Sequence, residues 1–224
     1  MRQVVLDTET TGLSPSDGHR IVEVGCLELI NHIPSGERFH RYVNPERDIP
    51  EEVVRVHGLT LDFLSDHPVF ADFVEEFLAF IGDAPLVIHN AEFDLAFLNA
   101  ELKRLGFAAL ESERCIDTLM LARKKFPGAP ASLDALCKRF GIDNSGREKH
   151  GALLDSELLA EVYLELLGGR EPGLTLTSAG TKAAARVATT VKPQREARPH
   201  APTEAELAAH AAFLARLKDP VWES

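Results

Sequence analysis

A short apolar strand near the start of the chain ends in two acids. Residues 3–9 read Gln-Val-Val-Leu-Asp-Thr-Glu and so carry Asp7 and Glu9. Side chains two positions apart on an extended chain face the same way, so these carboxylates converge while Val4, Leu6 and Thr8 do not. Two carboxylates 4 Å apart repel by roughly 4 kcal/mol at an effective dielectric of about 20. A divalent cation bound through oxygen would offset that repulsion.

The same pair also fits the opening of a turn. Thr10, Thr11 and Gly12 follow Glu9 directly, and Gly12 could supply an unusual backbone angle. The local motif does not choose between a turn and a cation site, so the remaining acids of the chain have to decide.

The composition restricts the class of protein. The 224 residues suffice for one domain with an appendage or for two small domains, and 45% of them are apolar. No apolar run approaches the roughly 20 residues that cross a bilayer, and no signal-like segment opens the chain. Cys26, Cys115 and Cys137 are scattered, which fits reduced thiols better than disulfides or a zinc site. We therefore expect a soluble, cytoplasmic protein with no membrane partner.

The net charge of −11 argues against a surface that attracts nucleic acid as a whole. It does not exclude an enzyme that grips only a strand end, because metal ions can supply the local positive charge.

Hydrophobic periodicity predicts an α/β fold, a mixed sheet flanked by helices. Strands are expected over residues 3–9, 20–29, 37–43 and 86–88, with a hairpin connection over 31–36 that contains Pro34 and Gly36. Helices are expected over 69–81, 91–105, 117–125, 132–140 and 152–167. Asn90 is the expected N-cap of the helix over 91–105. Three strands followed by alternating helices and strands give the mixed sheet.

The composition changes after Gly169. Residues 170–202 contain Pro, Thr, Ala and scattered basic residues without apolar periodicity, which predicts a flexible linker. Residues 203–206 have the form of a capping box and open a short amphipathic helix, whose apolar face is formed by Leu207, Ala211, Leu214 and Leu217, with Val221 and Trp222 beyond. This helix either packs back on the domain or docks on another protein.

Two further acids and a histidine occupy matching positions later in the chain. Asp94 falls one turn inside the helix after the strand 86–88, so it can point back toward that strand's end. Asp155 falls in the first turn of its helix, and His150 precedes that helix in a loop from which it can reach the same centre. The helix dipole alone also favours acids at helix starts, and His150 could be an exposed loop histidine. As a set, these side chains predict a site at an edge of the sheet.

Three short motifs carry a resemblance to a known family. They are Asp7-Thr8-Glu9-Thr10-Thr11-Gly12, His89-Asn90-Ala91-Glu92-Phe93-Asp94 and His150-Gly151-Ala152-Leu153-Leu154-Asp155. In this order, with His150 five residues before Asp155, they resemble the motifs of the DEDDh 3′–5′ exonucleases. Family-like detail at residues 56–59, 132–137 and 161–164 extends the resemblance over roughly residues 1–169. Within that superfamily the chain is similar to the proofreading exonucleases of bacterial replicative DNA polymerases.

The resemblance implies an RNase H-like fold and hydrolysis assisted by two divalent cations, Mg²⁺ or Mn²⁺. Asp7, Glu9 and Asp155 would hold one cation, and Asp7 would share the second with the scissile phosphate. Asp94 would support that second cation. His150 would be the general base for the attacking water, since histidine takes up protons near neutral pH.

The resemblance also implies a set of residues that hold the 3′-terminal nucleotide. They are Thr10, Glu52, His57, His89 and Asn90, together with Asp7, Glu9 and Asp155. Glu52 and His57 lie at the two ends of a short predicted helix. A solvated acid and a structural histidine, without a role in binding, explain them equally well.

From the resemblance we expect residues 1–169 to be an exonuclease domain that removes mispaired nucleotides from a DNA 3′ end. Residues 203–224 would dock on the catalytic (alpha) subunit of the polymerase, and a small accessory (theta-like) subunit could bind as well. Residues 173–177 match a clamp-binding segment poorly, which leaves contact with a sliding clamp in doubt.

Two alternatives stay open at this point. An RNA-trimming 3′–5′ exoribonuclease of the same superfamily would use the same acids, which do not distinguish DNA from RNA. A binding module with an inactive centre could brace a polymerase through the terminal helix. The second alternative is disfavoured because Asp7, Glu9, Asp94, His150 and Asp155 are all intact.

Overall fold

The computed structural model of the chain describes residues 1–146, 149–169 and 201–216. The chain divides into two units, Met1–Thr175 and Leu176–Ser224. The expected linker over 170–202 and the segment 173–177 lie, except for residues 201 and 202, outside the described residues, as do Leu217, Val221 and Trp222. The division into exonuclease domain, linker and docking segment therefore stays a prediction.

A five-stranded mixed sheet forms the centre of the first unit. Strands β1 (Arg2–Thr10), β2 (Ile21–Ile30) and β3 (Ile33–Tyr42) form an antiparallel meander. Strands β4 (Leu86–Ile88) and β5 (Cys115–Asp117) run parallel to β1, and the order across the sheet is β3-β2-β1-β4-β5. This central position of β1 places the end of the strand that carries Asp7 and Glu9 between β2 and β4.

The helices lie on both faces of the sheet. In chain order they are α1 (Glu51–His57), α2 (Leu61–Leu64), α3 (Phe70–Ile81), α4 (Ala91–Arg104), α5 (Thr118–Lys125), α6 (Leu133–Phe140) and α7 (Ala152–Leu167). The five predicted helices are confirmed to within two residues at each end. Side chains of Ser132 and Asp117 cap α6 and α5 by accepting backbone hydrogen bonds.

Alternation along β1 divides the core into two layers. Val4 and Leu6 pack with α3 and α4, whereas Val5 packs with α6 and α7 on the opposite face. Asp7 and Glu9 continue the odd-numbered series, so they emerge on the face covered by α7. Gly25, which is paired with Asp7 across β1 and β2, lets α7 approach the sheet, since a Cβ there would lie 2.3 Å from the Ala152 carbonyl carbon.

The predicted hairpin between β2 and β3 is present, but its connection is shorter than predicted, and one strand was missed. The β2–β3 connection is only Asn31 and His32, both with positive φ, whereas Pro34 and Gly36 lie inside β3. A proline is tolerated there because β3 is an edge strand and the missing N–H need not serve a neighbour. Strand β5 was not predicted, because Cys115-Ile116-Asp117 lacks the continuous apolar run that indicated β4.

In the second unit, helix α8 (Glu204–Leu214) begins at the predicted capping box. The Thr203 hydroxyl accepts from the Glu206 N–H, and the Glu206 carboxylate accepts from the Thr203 N–H at 2.7 Å. Leu207 and Phe213 are 53% and 55% exposed. Phe213 lies off the predicted apolar face, so the apolar surface of α8 is broader than that stripe. None of the helices within the described residues has the length and hydrophobicity needed to cross a lipid bilayer.

Candidate active site

The end of β1 brings carboxylates together as its sequence suggested. Asp7 and Glu9 are both partly exposed, and Glu9 is paired in register with Glu23 of β2. Burial first, and then the carboxylates of Asp94, Glu9, Asp155 and Glu23, raise the pKa of Asp7 well above its usual range. A surplus of negative charge therefore surrounds Asp7, and the turn interpretation alone does not account for it.

Asp94 approaches the same strand from the α4 side of the sheet. It is 3% exposed, and its Oδ1 accepts hydrogen bonds from the Thr8 N–H at 3.0 Å and from the Thr8 hydroxyl at 2.7 Å. Burial raises the pKa of Asp94 to about 7, although both bonds from Thr8 act to lower it. Asp94 therefore points back at the strand end, as its place in the helix predicted.

Asn90 is the N-cap residue of α4, as predicted, but its side chain does not form the usual capping hydrogen bond. Its backbone is left-handed, with φ of 66° and ψ of 56°, and no side-chain cap bond forms. Its backbone N–H instead donates to Asp117 Oδ1 at 3.2 Å. The amide side chain of Asn90 is exposed and lines the cavity described below.

A cluster of possible metal ligands consists of Glu9, His150 and Asp155. The Nδ1 atom of His150 lies 3.5 Å from Asp155 Oδ2, and one ligand atom from each of the three residues lies within 4.8 Å of the others. Asp155 is buried on the first turn of α7, whereas the His150 side chain is 46% exposed. The loop is anchored because the His150 N–H donates to the Val56 carbonyl oxygen at 3.2 Å.

A cavity of about 540 Å³ opens over this cluster. Its lining consists of Asp7, His89, Asn90, Leu119, Arg123, Ser132, Leu133, Asp134, His150 and Asp155. Five of the predicted site residues, Asp7, His89, Asn90, His150 and Asp155, line this cavity, whereas Asp94 is bound to β1 through Thr8 and Glu9 belongs to the ligand cluster. Their roles stay a prediction.

His89 forms one wall of the cavity in a defined orientation. Its Nδ1 lies 2.9 Å from the Thr118 hydroxyl, whose oxygen in turn donates to the Ile88 carbonyl at 3.3 Å. Burial is the main cause that lowers the pKa of His89, against the Asp117 carboxylate, which raises it. A neutral imidazole suits contact with a base or sugar better than with a phosphate.

The remaining nucleotide-binding candidates lie outside the cavity lining. Thr10 is buried, and its hydroxyl donates to the Gly12 carbonyl at 2.6 Å. His57 is buried at the end of α1, where its Nδ1 accepts from the Leu59 N–H at 2.9 Å. Glu52 is exposed on the first turn of α1. Their contact with substrate stays a prediction.

Sequence reasoning missed Glu23 and His40, which adjoin the acids on β2 and β3. Glu23 is 3% exposed, and its Oε1 lies 2.7 Å from His40 Nε2. A buried glutamate inside the apolar run of β2 was the available signal, because such a group requires a partner.

The donor set fits divalent cations. Ligand atoms of Glu9 and Asp155 lie within 4.8 Å of each other, and both carboxylates, after burial, raise the pKa of the neighbouring Asp7. Hard cations prefer such oxygen ligands. No disulfide competes in the described residues, where Cys26, Cys115 and Cys137 are not bonded to one another.

Comparison with known proteins agrees with this geometry. The exonuclease family matches residues 4–163. DNA polymerase III subunit epsilon of Rickettsia conorii is 49% identical over 222 residues, covering 97% of this chain and 96% of the relative. The subunit of the same name from Salmonella typhimurium is 50% identical over 176 residues, covering 75% and 72%.

Solved structures share the fold. The nuclease domain of 3′hExo, a DEDDh family member bound to rAMP, superimposes with a TM-score of 0.64 at 20% identity, covering 74% of this chain and 91% of that one. Exonuclease X in complex with 5′ overhanging duplex DNA has a TM-score of 0.59 at 25% identity, covering 74% and 90%. The chain therefore belongs to the exonuclease family, among relatives named DNA polymerase III subunit epsilon and with the fold of the DEDDh exonucleases.

Proposed function

We propose that this protein is the 3′–5′ proofreading exonuclease of a bacterial replicative DNA polymerase, which removes mispaired nucleotides from a DNA 3′ end. The observation that carries the proposal is the cluster of Glu9, His150 and Asp155 beside a cavity that Asp7 also lines, in a chain whose relatives are named DNA polymerase III subunit epsilon. Those names favour DNA over RNA as the substrate.

In the proposed reaction, Asp7, Glu9, Asp94 and Asp155 hold two divalent cations, Mg²⁺ or Mn²⁺. When bound, such cations stabilise the charge that develops at the scissile phosphate. The acids alone would repel that phosphate, so activity requires the cations.

His150 is the proposed general base. Its Nδ1 lies 3.5 Å from Asp155 Oδ2, so the carboxylate can orient the imidazole that takes the proton from the attacking water. The water oxygen bonds to phosphorus, the bond from phosphorus to the 3′ oxygen of the penultimate nucleotide breaks, and that oxygen takes up a proton. The product is a nucleoside 5′-monophosphate.

Thr10, Glu52, His57, His89 and Asn90 are the residues proposed to hold the terminal nucleotide. His89 and Asn90 have the strongest support, because both line the cavity.

The polymerase partnership is proposed to run through the C-terminal segment 203–224. The exposed Leu207 and Phe213 of α8 suit a groove on the catalytic (alpha) subunit. A net charge of −11 fits an enzyme that its partner delivers to cytoplasmic DNA. Binding of a theta-like subunit or a sliding clamp has no support in the described residues.

A metal-dependent assay on a duplex with a 3′ mismatch tests the activity. We expect the wild type to release nucleoside monophosphates with Mg²⁺ or Mn²⁺, and Asp7→Ala to lose activity. Unchanged turnover in Asp7→Ala would refute the site. Matched single strands of DNA and RNA separate the proofreading enzyme from an RNA-trimming one.

Deletion of residues 170–224 tests the division of labour. The truncated chain should keep nuclease activity and fail to capture the polymerase catalytic subunit in a pull-down. Capture without any nuclease activity in the full-length protein would instead favour the inactive binding module.

A further inference from the structure

One arginine side chain, that of Arg123, lines the cavity over the reaction centre. Arg123 is the only Arg or Lys among the described residues that line it, whereas Asp7, Asp134 and Asp155 are acidic. Its side chain is exposed, and within the described part of the chain its guanidinium forms neither a hydrogen bond nor an ion pair. A permanent cation is thus held at the site without a structural partner.

The helix that carries Arg123 is fixed at both ends. At its start, Asp117 Oδ1 accepts from the Leu119 N–H at 2.8 Å. At its end, Lys125 Nζ donates to two carbonyl oxygens of α7 at 3.0 and 2.9 Å. Leu119 and Arg123 are four residues apart and so share the helix face that meets the cavity. Arg123 is therefore presented from a rigid support.

Arg123 acts on the side of the cavity formed by His89. Burial is the main reason why the pKa of His89 is low, and the positive charge of Arg123 lowers it further. The acids Asp7 and Asp155 come from β1 and α7, whereas Arg123 comes from α5.

The chemistry of a 3′ end identifies what a second anion in this cavity must be. The terminal nucleotide carries the scissile phosphate on its 5′ side and only a hydroxyl on its 3′ side. The scissile phosphate belongs with the cations at Asp7. The nearest other phosphate is therefore the one on the 5′ side of the penultimate nucleotide.

We propose that Arg123 binds this upstream phosphate through its guanidinium and so holds the strand in register for cleavage. The inference rests on the proposed function, because it presupposes a strand whose 3′ end lies at Asp7. A planar guanidinium offers two parallel N–H donors to a phosphate, and the bond is charge-assisted. Arg123 is then a substrate-binding residue that makes the enzyme prefer strands with at least two phosphates.

The test uses two trinucleotides that differ only at the upstream linkage. TpTpT carries a charged upstream phosphate, and its analogue carries a neutral methylphosphonate at that position. Both keep the same scissile phosphodiester. Each is assayed with the full-length wild type, with Arg123→Gln and Arg123→Lys, and with Lys124→Gln as the control. Lys124 is the adjacent exposed cation of α5 and is not among the described residues that line the cavity.

We expect Arg123→Gln to raise KM for TpTpT about 10- to 100-fold, the size of a charge-assisted hydrogen bond, with kcat nearly unchanged. The variant should cleave the methylphosphonate as the wild type does. Arg123→Lys should recover part of the loss, and Lys124→Gln should match the wild type. The slope of log(1/KM) against log salt should become shallower by about 0.7 in Arg123→Gln.

Two results would overturn the proposal. Equal losses on both trinucleotides would mean that Arg123 acts on the scissile phosphate or supports the fold, and no loss on either would mean that it does not touch the strand. If the wild type cleaves neither trinucleotide nor longer DNA, the proposed function itself fails, which is distinct from a wild type that is active but indifferent to the upstream charge.

Discussion

The Asp94 carboxylate is fastened to Thr8 by two hydrogen bonds to the same oxygen, one from the backbone N–H at 3.0 Å and one from the hydroxyl at 2.7 Å. Thr8 lies between Asp7 and Glu9 and faces the opposite side of the sheet. The contact therefore ties α4 to the strand that carries two of the other acids. Relative placement of the carboxylates is set by the protein before any cation binds.

Replacing Thr8 by valine removes the hydroxyl bond and keeps the side-chain shape and the backbone bond. We expect Thr8→Val to lose about 1.5–3 kcal/mol of unfolding free energy, since the acceptor is a buried carboxylate. The rate should fall about tenfold because Asp94 loses part of its orientation. Urea unfolding and a mismatch-excision assay measure the two effects. Thr8→Ser keeps the hydroxyl and serves as control, and equal behaviour of the valine and serine variants would show that the bond is unimportant.

Stability without cations should fall as the pH rises. Burial raises the pKa of Asp94 to about 7, and burial with the neighbouring carboxylates raises that of Asp7. In the unfolded chain aspartates titrate near 3.9. Between about pH 4 and pH 7 the folded protein thus holds protons that the unfolded chain has released, so its stability decreases across that window.

Thermal unfolding in a chelator at pH 5 and at pH 8 checks this dependence. The melting temperature should be lower at pH 8, and added Mg²⁺ should raise it more at pH 8 than at pH 5, because cations bind the deprotonated acids. Asp94→Asn is the matched variant and should show a flatter dependence between pH 4 and pH 7. A chelator-treated protein that is more stable at pH 8 would contradict the assignment of cause.

Sequence patterns located the acids well because each acid sits at a boundary that local rules recognise. Asp7 and Glu9 follow an apolar run, and Asp94 and Asp155 lie in the first turns of helices with ordinary stop signals. The same rules misjudged the β2–β3 connection, because Pro34 and Gly36 look like turn residues and are tolerated in β3 only through its edge position. Edge position is a property of the sheet and not of the local sequence.

Hydrophobic periodicity could not predict contacts between residues that are distant in sequence. Alternation correctly placed Thr8 away from Asp7, but it could not show that Asp94 would arrive on that side to bind it. The local sequence did not single out Arg123, since its relation to the cavity depends on how α5 packs. Such pairings, distant in sequence, depend on the packing of α4 and α5 against the sheet.

Gly25 should be intolerant of any side chain. A Cβ at this position would lie 2.3 Å from the Ala152 carbonyl carbon and 2.4 Å from the Leu153 nitrogen, which are backbone atoms at the start of α7. Gly25→Ala therefore has to push away the first turn that carries Asp155. We expect a loss of about 1–3 kcal/mol in unfolding free energy and about 100-fold in rate. Unfolding curves and initial rates report the two losses.

Gly146→Ala is the matched control for Gly25→Ala, because no described atom would lie within 4 Å of the new Cβ. It should leave stability and rate near the wild-type values. If Gly25→Ala retains full activity, α7 moves without cost to the site, and the close approach of helix and sheet does not position Asp155.

His150 has two chemically distinct roles open to it, and they separate experimentally. Its Nδ1 lies 3.5 Å from Asp155 Oδ2, close enough either to orient a base or to share a cation with Asp155 and Glu9. If His150 is the general base, His150→Ala should lower kcat by about 10²- to 10⁴-fold, and by more if the imidazole also positions the water. The variant should keep the wild-type rise in melting temperature on addition of Mn²⁺, because the acids remain.

If His150 is instead a metal ligand, His150→Ala should show a smaller rise in melting temperature on addition of Mn²⁺ than the wild type. Asp155→Asn provides the reference for a lost ligand. If the Mn²⁺ titration of His150→Ala matches that of Asp155→Asn, His150 acts as a metal ligand and not as the general base.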